Sequence, residues 1–256
     1  MSIRWGVSPI AWANDDMPEL GGDTPLDSIL ADVRDLGFEG VELGGKFPRD
    51  AAALKPLLAG YDLDLIGGWY SGALLKRGAA AEIEALQPHL ALLKAMGSTV
   101  FVFAETSNAV HGNRRVPLSG TPRLGEGDWR TFGERMTAVA DYIASQGLRF
   151  AYHHHLGTVV ETGADVDAFI AATGPSVGLT LDTGHAALGD VDALSVVARY
   201  PERIAHVHCK DVRWATFKAT RASGASFLDG VVAGMFTVPG DGGLDYAAFM
   251  RALKGM

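Results

Sequence analysis

The residues best suited to acid–base or metal chemistry lie at the ends of predicted β-strands. FAYHHHLGT (150–158) carries three consecutive histidines, LDTGH (181–185) an aspartate and a histidine, and HVHCKD (206–211) two more histidines. Imidazole and carboxylate groups are common ligands of Mn²⁺, Co²⁺, Zn²⁺ and Fe²⁺. Because the chain has one cysteine, a thiolate-bound structural zinc site is not expected. The pattern favours an open, catalytic metal site.

The histidine triplet cannot point into one site as a whole. Side chains alternate faces along a strand, so His153 and His155 are expected on one face and His154 on the other. At least one of the three is therefore structural or supports the others. By the same alternation, His206 and His208 are expected on a common face.

The elements that position these groups alternate strand and helix along the chain. TVFVFAE (99–105) is typical of the predicted strands, and TPLDSILADVRDLG (24–37) is typical of the amphipathic stretches predicted to be helices. Seven units of a strand followed by a helix are present. This alternation predicts a parallel sheet with helical crossovers. We predict an α/β fold, a TIM-type (β/α) barrel forming one domain over 1–256, with a doubly wound sheet as the alternative. Pro88 is expected to kink or divide the helix over 80–97, and a long loop is expected after the seventh strand.

Polar or aromatic residues follow every predicted strand. The set is Trp12 and Asn14, Glu42 and Lys46, Trp69 and Tyr70, Glu105, the histidine triplet, Asp182 and His185, and His206, His208, Lys210 and Asp211. Any one of them has an ordinary explanation, since a glutamate often caps a helix and a lone histidine is usually a hydrogen-bonded core residue. The carboxyl ends of barrel strands, however, are where catalytic groups converge. Seven strands delivering such groups to one rim indicate an active site.

Composition limits the partners. The 256 residues carry a net charge of −8, which disfavours nucleic acid and anionic membrane surfaces. One cysteine cannot form an internal disulfide, and we see neither a signal peptide nor a membrane-length apolar run. We predict a cytoplasmic protein whose partners are a small-molecule cyclitol or sugar and, in a homo-oligomer, further copies of the chain.

Several motifs resemble one family. DTGH (182–185) and HVHCKD (206–211) resemble the sixth- and seventh-strand signatures of the xylose-isomerase-like sugar isomerase/epimerase barrels. NDDMPELGGDTPL (14–26), YHHHLGT (152–158) and GMFTVPGDGGLDY (234–246) are more specific, and they resemble the myo-inosose-2 dehydratase family. The resemblance runs from near the first strand to the end of the chain.

This resemblance implies dehydration of 2-keto-myo-inositol (scyllo-inosose) to a trihydroxycyclohexane-1,2-dione in inositol catabolism, with Mn²⁺ or Co²⁺. Glutathione is implied by the resemblance alone. Asp182 and His208 match the metal-binding aspartate and histidine, and His185 matches a residue that touches substrate hydroxyls. Many sugar epimerases have a glutamate ligand on the fifth strand, and here His153 or His155 takes that place, with His153 preferred.

The family also has an eighth strand with a metal-binding glutamate. This sequence ends at RALKGM (251–256), before such a strand. We therefore expect a barrel truncated before the eighth strand, with two open strand edges.

The chemistry requires a base for the proton α to the ketone and an acid for the departing hydroxyl. The candidates for these catalytic roles are His154, His155, Glu42 and Glu105. The candidate substrate-binding residues are Trp12, Asn14, Lys46, Trp69, His185 and Lys210. Tyr70 is a further candidate for an apolar contact, and the metal ligands are Asp182, His208 and His153.

Three other functions are weighed against the dehydratase. A metal-dependent ketose isomerase or epimerase would use the same scaffold and the same proton abstraction. A non-catalytic cyclitol-binding protein is compatible with the missing strand. An endonuclease-like member acting at abasic DNA is disfavoured by the negative charge.

Overall fold

One parallel β-sheet forms the centre of the computed structural model, which describes residues 3–256. Its strands are β1 (Gly6–Val7), β2 (Gly40–Leu43), β3 (Asp64–Gly72), β4 (Val100–Glu105), β5 (Arg149–His153), β6 (Gly178–Asp182) and β7 (Ile204–His208). The strands pair in chain order, and each pairing is parallel. Doubly wound sheets reverse their strand order, so this order confirms the barrel type and excludes the alternative. Within residues 3–256, β1 and β7 are paired on one side only.

Helices connect successive strands. The α-helices of the described residues are α1 (Leu26–Asp35), α2 (Ala51–Ala59), α3 (Ala79–Ala85), α4 (Gln87–Ala95), α5 (Glu126–Ser145), α6 (Gly163–Ala172), α7 (Thr183–Leu188), α8 (Ala193–Arg199), α9 (Trp214–Ala222), α10 (Phe227–Val232) and α11 (Tyr246–Lys254). Short 3₁₀ helices lie at Pro9–Ala11, Leu118–Gly120 and Pro201–Arg203. None of the helices in this part of the chain has the length and apolar character needed to cross a membrane.

Two predictions about local structure had different outcomes. Pro88 lies in the first turn of α4 and separates it from α3, as predicted, because proline lacks the N–H that a continuous helix needs. The prediction of a long loop after β7 was wrong. That segment contains α9, α10 and a hairpin of β8 (Asp211–Val212) and β9 (Phe236–Thr237), which are antiparallel.

The two faces of the sheet differ in what they contact. On the outer face, large aromatic side chains meet the helices, with the rings of Phe103 and Phe150 5.4 Å apart and those of Tyr152 and Phe169 4.2 Å apart. On the inner face, the buried residues Val100, Val102 and Ala151 pack with Trp69 and Ala205 as a separate small cluster. This inner layer forms the floor beneath the carboxyl ends of the strands. Because side chains alternate, His153 shares the face of Ala151.

We expect Glu82→Ala to destabilise the fold by about 2 kcal/mol, since it removes a buried carboxylate that pairs with the partly exposed Arg77 and accepts two further hydrogen bonds. The Glu82 carboxylate is fully buried and accepts hydrogen bonds from Tyr70 Oη (2.8 Å), Ala73 N (2.9 Å) and Arg77 Nε (2.7 Å). Urea denaturation measures the change. Glu84→Ala, at an exposed position of the same helix, is the control and should change stability by less than about 0.5 kcal/mol. Equal effects of the two substitutions would contradict the argument.

Candidate active site

Five polar side chains from four strands meet at the carboxyl end of the sheet. They are Glu42 of β2, His153 of β5, Asp182 of β6, and His206 and His208 of β7. Asp182 is fully buried and His153 nearly so, whereas the His206 and His208 side chains are 20% and 18% exposed. The cluster is therefore open to solvent on the β7 side.

His208 is the centre of this cluster because each of its nitrogens faces a different group. Its Nδ1 lies 3.0 Å from His153 Nε2 and 3.6 Å from Asp182 Oδ2. Its Nε2 lies 2.8 Å from Glu42 Oε1, which also accepts from His206 Nε2 at 2.9 Å. Two sets of three ligand atoms result, each within 4.8 Å: His153, Asp182 and His208, and Glu42, His206 and His208.

The charges of the cluster are mutually stabilised. Burial lowers the pKa of His208, but the nearby Glu42 carboxylate and the hydrogen bond to Asp182 outweigh it and raise that pKa to about 9. Burial raises the pKa of Glu42, but the positive charge of His208 and the hydrogen bonds from His206 and His208 bring it well below its usual value. At neutral pH, His208 is thus an imidazolium between two carboxylates.

Asp182 and His153 complete the buried part. The carboxylate of Asp182 contacts the Lys210 ammonium and accepts hydrogen bonds from the amides of Gly184 and His185 at the start of α7. Burial raises the pKa of Asp182, but the Lys210 charge more than offsets this, and the pKa lies well below its usual value. Burial lowers the pKa of His153 to about 3, which keeps that ring neutral.

His155 and His185 form a close pair beside the cluster, with ring centroids 3.7 Å apart and ring planes tilted by 36°. His155 Nδ1 lies 2.6 Å from the Leu156 carbonyl, which can only accept, so Nδ1 carries the hydrogen. The Leu156 N–H donates to His185 Nδ1 at 3.3 Å, which gives His185 the opposite tautomer. Burial lowers the pKa of both rings well below the usual value. The pair thus presents an unprotonated Nε2 on His155 and an N–H donor at Nε2 of His185.

His154 lies apart from this chemistry. Its ring is buried, and its Nε2 accepts from the backbone N–H of Asp182 at 3.4 Å. Burial lowers its pKa to about 4. His154 therefore links β5 to β6, on the side expected from strand alternation, and its geometry supports a positioning role rather than proton transfer.

Four other predicted residues are engaged away from the cluster. Glu105 is fully buried, and its oxygens accept from the amides of Leu74 (2.6 Å) and Ser107 (3.0 Å). The Trp12 indole donates to Asp32 at 2.8 Å. Asn14 and Lys46 make hydrogen bonds to the backbone. Asn14 Oδ1 accepts from the amides of Asp16 and Met17, and Lys46 Nζ donates to the Gly22 carbonyl. Glu105 points away from the cluster because side chains alternate along β4, which places Glu105 on the outer face with Phe101 and Phe103.

The aromatic wall of the site was predicted only in part. The Trp69 ring lies 5.2 Å from the His153 ring, as its inner position suggests, whereas Tyr70 points outward and donates to Glu82. Sequence analysis missed Phe227 and Phe236, whose rings lie 5.9 and 5.0 Å from His185. Phe236 lies in the GMFTVPGDGGLDY motif, which is the one signal that could have indicated it.

The residues present fit a divalent cation. His153, Asp182 and His208 come from three adjacent strands and converge as two imidazoles and one carboxylate, a donor set suited to Mn²⁺ or Co²⁺. His208 and Lys210 supply positive charge beside Asp182. Glu42 hydrogen-bonds the far nitrogen of His208, as carboxylates commonly do behind metal-binding histidines. That these residues bind metal remains a prediction.

Comparison with known proteins places the chain among barrel enzymes. Residues 30–256 match the family model described as xylose isomerase-like TIM barrel. The chain is 47% identical to the rhizopine catabolism protein MocC of Rhizobium meliloti, over 99% of this chain and 78% of that protein. It is 37% identical to an inosose dehydratase of Geobacillus thermodenitrificans (98% and 85% covered) and 36% identical to one of Salmonella typhimurium (99% and 85%).

Solved structures share the fold. A probable 3-DHS dehydratase from Bacillus anthracis superposes with a TM-score of 0.69 at 12% identity, covering 99% of this chain and 90% of that one. An L-ribulose 3-epimerase gives a TM-score of 0.68 at 19% identity, with 99% and 78% covered. At such identities the likeness shows the fold alone.

Metal binding at neutral pH should release about one proton, because a cation on His208 Nδ1 must displace a proton held with a pKa of about 9. His153 is already neutral and contributes none. Mn²⁺ affinity should therefore rise about tenfold per pH unit and level off above pH 9. Titration calorimetry in buffers of different ionisation enthalpy counts the protons. In Glu42→Gln the plateau should begin at lower pH, and release of no proton from the unaltered protein would contradict the assignment.

Proposed function

The chain belongs to the xylose isomerase-like TIM-barrel family and, within it, to the inosose dehydratases, and we propose that it dehydrates 2-keto-myo-inositol to a trihydroxycyclohexane-1,2-dione in inositol catabolism. One observation carries this proposal, the 35–37% identity to inosose dehydratases over at least 98% of the chain. The name of the 47% identical relative gives a catabolic role without a reaction. The chemistry is therefore taken from the dehydratases.

Asp182, His208 and His153 would hold a divalent cation, Mn²⁺ or Co²⁺. Such a cation supplies Lewis acidity that polarises a ketone oxygen and favours loss of the neighbouring proton. Glu42 accepts the Nε2–H of His208 and so orients that ring. Lys210 contacts Asp182, and its ammonium group would donate to substrate oxygens bound beside it.

His155 is the proposed base and His185 the proposed hydroxyl-binding residue. The neutral His155 ring has a free lone pair at Nε2, which takes the proton from the carbon α to the ketone. The same nitrogen then returns this proton to the β-hydroxyl as the C–O bond breaks and water leaves. His185 Nε2–H donates to that hydroxyl and orients it. Because His155 both takes and returns the proton, the reaction needs no second titrating group.

We expect His155→Gln to lower kcat by about 10²- to 10⁴-fold, because it removes the general base. Asp182→Asn should abolish both Mn²⁺ binding and turnover. The control is Asp167→Asn, which removes a half-exposed ion pair with Arg199, affects a 3.3 Å hydrogen bond from Tyr200, and should keep full activity. The assay follows the dione chromophore with Mn²⁺ or Co²⁺ present.

Product analysis separates the dehydratase from its rival. Proton abstraction without C–O cleavage would give an isomerised or epimerised product and no dione, which would support a ketose isomerase or epimerase. Metal-loaded protein that binds the cyclitol and converts it to no product would contradict both enzymes.

A further inference from the structure

The strap, residues 236–244 within the GMFTVPGDGGLDY motif, has no part in the chemistry described above. It begins with β9, whose Phe236 and Thr237 pair with Val212 and Asp211 of β8. Its path brings it back over the carboxyl end of β7. The contacts that hold the strap indicate what it presents to the site.

The carboxylate of Asp211 is the anchor of the strap. It is fully buried and accepts hydrogen bonds from the amides of Gly240 (3.0 Å), Gly242 (3.1 Å) and Leu244 (3.0 Å). Gly240 has a φ of +90°, and a Cβ on Gly242 would lie 2.3 Å from Asp211 Oδ1. The two glycines are therefore required for the chain to wrap around this carboxylate.

A second anchor fixes the outer side of the strap. Arg213 donates to Asp241 Oδ2 at 2.6 Å and to Thr237 Oγ1 at 2.8 Å. Val238 between them points to solvent and is 68% exposed. The strap thus has an inner and an outer face, and Phe236 and Val238 have distinct surroundings on it.

Phe236 lies directly against the polar groups of the site. Its ring centroid is 5.0 Å from that of His185, 6.1 Å from that of Phe227 and 6.0 Å from Lys210 Nζ. A Cβ on Gly184 would come within 3.0 Å of the ring, so the glycine of DTGH leaves room for it. Phe236 is only partly buried, so it retains surface for a ligand.

We propose that Phe236 is a substrate-contacting residue that determines specificity for a cyclitol ring. Like the proposed function on which it rests, this concerns the site around His185 and Lys210. A ring whose hydroxyls lie mostly in its plane exposes C–H groups on its faces, and an aromatic ring matches such a face. With a face on Phe236, the hydroxyls at the ring edge reach His185 and Lys210. An acyclic ketose offers no such face.

The test compares Phe236→Ala with Val238→Ala in the Mn²⁺-loaded protein. Phe236→Ala should weaken binding of myo-inositol, a cyclitol without the reactive ketone, about tenfold by calorimetry. KM for 2-keto-myo-inositol should rise by a similar factor while kcat changes little. Val238→Ala, on the solvent side of the same strap, should change neither value. Phe236→Leu should fall between the wild type and the alanine variant, since it restores apolar area without the flat face. Thermal melting checks that each variant is folded, and Mn²⁺ affinity should be the same in all.

The outcomes separate this inference from the proposed function. Unchanged myo-inositol binding in folded Phe236→Ala overturns the role of Phe236 alone. Wild-type protein that binds myo-inositol yet forms no dione overturns the proposed function, and the Phe236 comparison still decides the inference by binding. Wild-type protein that binds no cyclitol overturns both. A lower melting temperature and kcat with unchanged cyclitol affinity would make Phe236 a structural residue only and overturn the inference.

Discussion

The hydrogen bonds that His206 and His208 donate to Glu42 connect strands that share no backbone pairing. Glu42 ends β2 and the two histidines lie on β7, more than 160 residues later in the chain. Among residues 3–256 the sheet runs from β1 to β7 without closing, so these side chains join its two sides across the opening. The geometry of the site therefore depends on an ionic contact that also shapes the barrel.

That contact is stable because its charges are balanced. Two buried carboxylates close together would raise each other's pKa, and one would become protonated. The His208 imidazolium, between Glu42 and Asp182, and the Lys210 ammonium remove this cost. A divalent cation held by His153, Asp182 and His208 would supply the same positive charge beside Asp182.

The backbone, rather than other catalytic side chains, distinguishes His155 from His185. Leu156 offers its carbonyl to His155 and its N–H to His185, so one residue assigns opposite tautomers to the pair. The loop that contains Leu156 is fixed in turn by Glu161, which accepts from the Gly157 amide at 2.6 Å. Loops held in this way by buried polar contacts can carry catalytic groups without losing precision.

Hydrophobic periodicity and strand alternation are local properties, so the sequence alone predicted the barrel class and polar side chains at the carboxyl ends of its strands. The metal-binding roles of Asp182, His208 and His153 come from the family resemblance and stay predictions. Strand alternation would also have placed Glu105 and Tyr70 on the outer face of the sheet, because each lies an even number of residues from an outward-facing position of its strand. It could not supply Phe236, which reaches the site through the Asp211 anchor. Nor could it show that Trp12 hydrogen-bonds to Asp32 of α1 and that Asn14 and Lys46 hydrogen-bond to backbone groups. Which side chains meet follows from the tertiary structure, because hydrogen bonds such as the one that His208 donates to Glu42 join distant segments whose spacing in sequence carries no record of their contact.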